Sequence, residues 1–178
     1  YTVGSKSLIS DYSECSMEYV AEYCASKLVL GVDTETEGLD FTCKKMIMFQ
    51  IGDEETQFVI DTRVVSIEPL RDVLESKEIV KIFHNAKFDY KFIKKWGDID
   101  CEGIYDTFLT EIVITCGKKS GYGLKDLCKR YLNVELNKDV RNQFIGLTGQ
   151  PFKSDQILYG AKDVEYLCKI KELQQPTI

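Results

Sequence analysis

Four acids, Asp33, Glu35, Asp89 and Asp163, and one phenol, Tyr159, stand where their spacing could serve cation chemistry. Asp33 and Glu35 close the apolar run of LVLGVDTETEGLD (residues 28–40). Side chains alternate across a strand, so these two point to one face. Glu37 would follow if the strand continued, and Gly38 signals its end. A D-x-E pair at a strand end is common and usually solvated, so alone it does not specify a metal. Asp89 follows a buried-looking strand in IVKIFHNAKFDYKF (79–92), where an acid also suits a helix N-terminus. At about 100° per residue, Lys87, Lys91, Lys94 and Lys95 form one face and Asp89 lies nearly opposite, between Trp96 and Ile93. An acid turned toward the protein needs a cation or metal partner. The lysine stripe reads as a solvated face. In SDQILYGAKDVEYL (154–167), Tyr159 and Asp163 are four apart and stack on one helical face.

If the four acids meet, their repulsion has to be answered. Two carboxylates ~4 Å apart repel by ~1 kcal/mol in water and ~4 kcal/mol at an effective dielectric near 20. Two divalent cations would supply four positive charges, and all-oxygen ligands suit Mg²⁺ or Mn²⁺. Such a pair of ions serves phosphoryl transfer by clamping the attacking and leaving oxygens.

The elements that must position these residues follow from periodicity. Met17–Ser26 has helical spacing. Leu28–Glu35, Met46–Gly52 and Gln57–Asp61 read as an antiparallel meander. Ser66 caps a helix through about Glu75, with Pro69 in its first turn. Ile79–Phe83 is a strand, and Lys87–Trp96 a helix closed by Gly97. A brief strand at Gly103–Tyr105 leads into Asp106-Thr107, the start of a helix ending near Cys116. Leu124–Leu132 and Asp155–Ile170 are further helices. The pattern is an α/β mixed five-stranded sheet flanked by helices. The connection 133–154 is long enough to be functional or to hide a short helix.

Bulk properties exclude other classes. At 178 residues, 44% apolar and 29% charged, the chain fits one globular domain, 1–178, with no membrane span. Seven scattered cysteines without CxxC spacing suggest reduced thiols and an intracellular setting, cytoplasm or nucleoid. A single histidine, His84, excludes a His-rich zinc site. The net charge of −6 argues against nucleic-acid binding through bulk charge, while acids gathered around cations change sign as a unit.

With VDTETEGLD, HNAKFD and YGAKDVEYL in this order, and GLKDLCKRYL (123–132) between the second and third, the sequence resembles a DEDD-type 3′→5′ exonuclease of the ribonuclease H-like fold. Tyr159, four before Asp163, marks the tyrosine subclass (DEDDy), which includes proofreading domains of family A DNA polymerases and ribonuclease D-like enzymes. The resemblance implies that Asp33 bridges two metal ions, that Glu35 and Asp163 complete the first site, and that Asp89 holds the second through water. It implies that Tyr159 orients the attacking water or hydroxide; with a pKa near 10 a phenol suits hydrogen bonding better than base catalysis at neutral pH. Leu39 matches a wedge against terminal bases, or is a core residue. Asn85 matches a position near phosphate or sugar, or is a helix cap. Where the family often has Asp-Lys, this chain has Asn137-Lys138. No role attaches to 141–153. Lys118 and Lys119 in the turn 117–123 could touch a strand backbone, although a solvent turn is the plainer reading. Phe41, Tyr122 and Phe152 are candidate stacking rings or core.

The expectation is a metal-dependent exonuclease releasing nucleoside 5′-monophosphates from the 3′ end of single-stranded DNA, in proofreading or repair. The absent initiator Met favours a domain accompanied by a DNA polymerase in a longer chain. The alternative is an RNA 3′-processing exoribonuclease of the ribonuclease D type. A different class is an inert nucleic-acid-binding or docking module, which predicts lost acids.

Overall fold

A computed structural model describes residues 1–4, 13–136, 138–147 and 149–177, with the backbone alone at 138, 139 and 177. A mixed six-stranded sheet runs β1-β4-β3-β2-β5-β6. The strands are β1 (Thr2–Val3), β2 (Val29–Thr36), β3 (Met46–Gly52), β4 (Gln57–Asp61), β5 (Val80–Phe83) and β6 (Ile104–Asp106). The expected meander β2-β3-β4 is antiparallel, and β5 and β6 extend it in parallel from β2. The expected count was five; the sixth strand is β1, a two-residue edge paired in parallel with β4. Two residues carry no local period, so only this distant pairing makes them a strand.

The helices are α1 (Met17–Ala25), α2 (Arg71–Glu75), α3 (Ala86–Gly97), α4 (Thr107–Ile114), α5 (Leu124–Leu127), α6 (Lys138–Asn142) and α7 (Ser154–Gln174). On one face of the sheet, Val20 and Cys24 of α1, Leu74 of α2 and Phe92 and Ile93 of α3 pack with Leu30, Val32, Phe49 and Ile60. On the other face, Ile157 of α7 meets Ile47, Met48 and Val59, and Leu167 and Cys168 meet Ile82. Each fully buried side chain of this size contributes roughly 1.5–3 kcal/mol. With both faces covered, β3 is buried at every position.

Three local expectations are revised. The Ser66 hydroxyl accepts from the Glu68 amide (3.1 Å), and a 3₁₀ turn, Glu68–Leu70, containing Pro69, precedes α2. Helix α3 is closed by Asp98 in the left-handed region (φ 50°), not by Gly97; its carboxylate takes the Lys94 ammonium at 2.8 Å. The helix at 124–132 is α-helical only to Leu127, and Cys128–Leu132 form a π-helical turn ending at left-handed Asn133. The long connection does hide a helix, α6. Asn137 and the side chain of Lys138 lie outside the described residues. No helix among the described residues is long and apolar enough to cross a membrane.

Candidate active site

The carboxyl end of β2 is the floor of a cleft of about 710 Å³. The four acids Asp33, Glu35, Asp89 and Asp163, together with Tyr159, Leu39 and Asn85, line it. The register of β2 against β3 shifts between Glu35 and Thr36, a bulge of the kind that re-aims side chains at a strand end.

The acids arrive from both faces of the sheet. Residues 31, 33 and 35 of β2 face α7. A Cβ built on Gly31 would lie 2.7 Å from the Val164 carbonyl oxygen, so glycine permits this close approach next to Asp163. Oxygens of Asp33, Glu35 and Asp163 consequently lie within 4.8 Å of one another. Asp89 comes from α3 on the opposite face and stands outside that trio. The hydroxyl of Thr34, the β2 residue turned the other way, donates to Asp89 Oδ1 at 2.6 Å. The N-terminus of α3 is set by Asp106: its carboxylate accepts from the Asn85 and Ala86 amides (3.0 and 2.9 Å) and from Phe108 at the start of α4 (2.9 Å).

The four carboxyl groups are buried as well as crowded. Glu35, Asp89 and Asp163 are 7%, 2% and 2% exposed. Burial raises all four carboxyl pKa values, Asp33 to about 6 and the others well above the ordinary carboxylate range, and the charges of neighbouring acids add to the rise at Glu35, Asp89 and Asp163. A hydrogen bond between Asp33 and Asp163 lowers the first and raises the second, so the two carboxyls share a proton and titrate as a pair. Asp163 Oδ1 is buried and accepts no hydrogen bond among the described residues. Crowded oxygens, a shared proton and an unpartnered oxygen together fit a site for divalent cations, and the all-carboxylate donor set fits Mg²⁺ or Mn²⁺.

Tyr159 is half-buried against Phe144, 6.3 Å between ring centroids. Burial, with the charges of Asp163, Glu35 and Asp33, pushes its pKa further above the ordinary phenol value. It stays protonated at neutral pH and is a hydrogen-bond donor. Leu39 is 81% exposed, which excludes the core reading. Asn85 occupies the N-cap position of α3 in the left-handed region (φ 65°), but its side chain makes no capping bond and lines the cleft.

Other expectations resolve plainly. Lys87, Lys91 and Lys95 are exposed, and Lys94 pairs with Asp98 and Asp100. Lys118 and Lys119 are exposed and do not line the cleft. None of the three candidate rings lines it either. Phe41 packs on Phe92, the Tyr122 hydroxyl bonds Thr115 and the Lys119 amide, and Phe152 is buried against Phe144. Beside Tyr159 and His84, the rings that line the cleft are Phe88 and Phe108. Sequence reasoning missed Thr34, on the face away from the acids, and Arg141, in the connection to which no role was attached; both line the cleft.

A mixed sheet covered by helices, with acids gathered at the end of its central strand, defines a DEDD-type nuclease on a ribonuclease H-like fold. The chain belongs to the 3′-5′ exonuclease family, whose model matches residues 8–176. It is 26% identical over 138 residues to ribonuclease D of Bartonella henselae, covering 76% of this chain and 33% of that protein. It is 31% identical over 142 residues to DNA polymerase I of Aquifex aeolicus, covering 79% of this chain and 22% of that protein. The chain thus spans a third or less of these two relatives. Among solved structures, Escherichia coli RNase D superposes with a TM-score of 0.79 at 21% identity, over 90% of this chain and 42% of that one. Brucella melitensis NrnC with bound Mg²⁺ gives 0.72 at 22% identity, over 85% of this chain and 74% of that one.

Proposed function

We propose that residues 1–178 act as one exonuclease domain that removes nucleoside 5′-monophosphates from the 3′ end of a single-stranded nucleic acid. The observation that carries this reading is the convergence of Asp33, Glu35 and Asp163 within 4.8 Å, with Asp89 reaching the same cleft from the other face. Asp33, Glu35 and Asp163 would hold one divalent cation, and Asp33 and Asp89 a second. When bound, such ions lower the pKa of water and stabilise the attacking and leaving oxygens. The NrnC structure, with its Mg²⁺, supports Mg²⁺ as one such ion.

The chain's own residues do the rest. Thr34 holds Asp89 in one orientation through its 2.6 Å bond. Tyr159, kept as a phenol, donates a hydrogen bond at the floor of the cleft and orients the attacking water without taking its proton. Leu39, exposed at the rim, packs against the terminal base, and the free amide of Asn85 meets sugar or phosphate.

The first expectation was DNA. The relatives include both a ribonuclease D and a DNA polymerase I, so they support RNA 3′ processing as well as proofreading, and DNA takes no precedence. A binding-only module finds no support, since all four acids line the cleft. Seven cysteines, none in a disulfide, support a reducing, intracellular setting. Comparing kcat/KM on matched single-stranded DNA and RNA 12-mers, with Mg²⁺ and with Mn²⁺, tests the reading. Shortening from the 3′ end supports it and the ratio assigns the sugar preference. Endonucleolytic products, or release from the 5′ end, would refute it.

A further inference from the structure

Two basic side chains, Lys125 and Arg141, are among the described residues that line the cleft. They are not equivalent. The charge of Arg141 in particular acts on Asp33, Glu35 and Asp163, and also on Tyr159 and His84. Arg141 is nevertheless exposed and lies beyond ion-pairing distance, 4.0 Å, of every carboxylate among the described residues. It makes no side-chain hydrogen bond among them. A guanidinium that faces the acids across the cleft without touching them leaves room for something between.

Its placement follows from the packing of α6 and the turn after it. Phe144 is buried, and Val140 is packed beside it, against Ile47, Met48, Val59 and Ile157. Those two anchors leave Arg141, Asn142 and Ile145 to line the cleft. The charge balance gives the position its meaning. Four carboxylates and two divalent cations cancel, so a phosphodiester entering the cleft brings a negative charge that nothing in that set answers. A guanidinium is suited to it, because its fork of N–H donors matches two phosphate oxygens.

We propose that Arg141 is the phosphate clamp of this cleft and binds a backbone phosphate of the 3′-terminal nucleotides. The proposal rests on the exonuclease reading above. The experiment compares the wild type with Arg141→Ala and Arg141→Lys in steady-state cleavage of a 5′-labelled single strand across a KCl series. It also compares their thermal shifts with Mn²⁺ alone and with Mn²⁺ plus a nucleoside 5′-monophosphate. Loss of one charged hydrogen-bonding contact predicts a rise in KM of about tenfold or more for Arg141→Ala. The slope of log(kcat/KM) against log[KCl] should become shallower by about 0.7. Arg141→Lys should recover the slope but only part of the affinity. The shift with Mn²⁺ alone should persist in Arg141→Ala, while the added shift from the nucleotide should be lost. An unchanged KM and salt slope, or loss of the Mn²⁺ shift itself, would overturn the clamp. A wild type that neither cleaves nor responds to Mn²⁺ would overturn the exonuclease reading, and the clamp with it.

Discussion

Thr34 joins the two faces of the sheet at the cleft: its hydroxyl donates to Asp89 Oδ1 at 2.6 Å, while its neighbours Asp33 and Glu35 point the other way, toward α7. Strand β2 therefore carries two of the trio, Asp33 and Glu35, meets the third, Asp163 of α7, on the same face, and positions the fourth acid at one remove.

Thr34→Val keeps shape and burial but removes the donor. Leaving Asp89 without this partner should lower stability by about 1–2 kcal/mol. It should lower kcat roughly tenfold with little change in KM, because in the proposed role the misplaced group would hold a metal rather than the nucleic-acid strand. Paired melting curves and steady-state kinetics check both; an unchanged kcat would mean that Asp89 is oriented by other contacts.

The metal-free protein should lose stability as pH rises. Burial raises the folded-state pKa of Asp33 to about 6, and burial with repulsion from neighbouring acids raises those of Glu35, Asp89 and Asp163 well above the ordinary carboxylate range. The folded state therefore binds more protons than the unfolded chain, whose carboxyls titrate near 4. Stability falls from about pH 4 through 6 and beyond as those protons are lost. In EDTA the Tm should be lower at pH 8 than at pH 5. Saturating Mn²⁺ should raise it by roughly 5–10 °C at pH 8 and by less at pH 5, where protons compete. Equal Tm values at both pH values, with no response to Mn²⁺, would contradict a cluster of mutually repelling acids.

Gly31 controls how closely α7 approaches β2. Gly31→Ala would set a Cβ 2.7 Å from the Val164 carbonyl, a backbone atom that cannot swing aside. The expected cost is about 1–3 kcal/mol, together with weaker Mn²⁺ binding as Asp163 is pushed from Asp33. Gly149→Ala, where no described residue beyond its chain neighbours lies within 4 Å of the added carbon, is the control and should change neither. Thermal melts and Mn²⁺ titration distinguish the two.

Tyr159→Phe removes a donor from the cleft and leaves the four carboxylates in place. Cleavage should fall by roughly 10–100-fold and remain measurable, and the Mn²⁺-induced rise in Tm should survive. A loss as complete as that of a metal-ligand variant would mean that the phenol does more than orient.

The acids and Tyr159 were legible because each sits in a segment with a clear period. Alternation along residues 28–35 aligned Asp33 with Glu35, and the 3.6-residue period placed Asp89 inward and Tyr159 above Asp163. What escaped depends on contacts far apart in sequence. Strand β1 is two residues long and exists through its pairing with β4. Thr34 carries its role because α3 packs on the face opposite α7. Arg141 lies where no period is sustained, and the burial of Phe144 beside Val140 is what leaves it facing the acids. The π-helical turn at Cys128–Leu132 escaped because helical spacing in five residues does not separate one helix type from another.

The most direct test is a time course on a 5′-labelled single-stranded oligonucleotide with Mn²⁺, comparing wild type, wild type in EDTA, and Asp33→Ala shown to be folded by circular dichroism. The account predicts a ladder shortening one nucleotide at a time from the 3′ end in the first sample and no cleavage in the other two. A ladder that persists in EDTA or in Asp33→Ala would contradict it, because the chemistry would not then depend on the carboxylates at the end of β2.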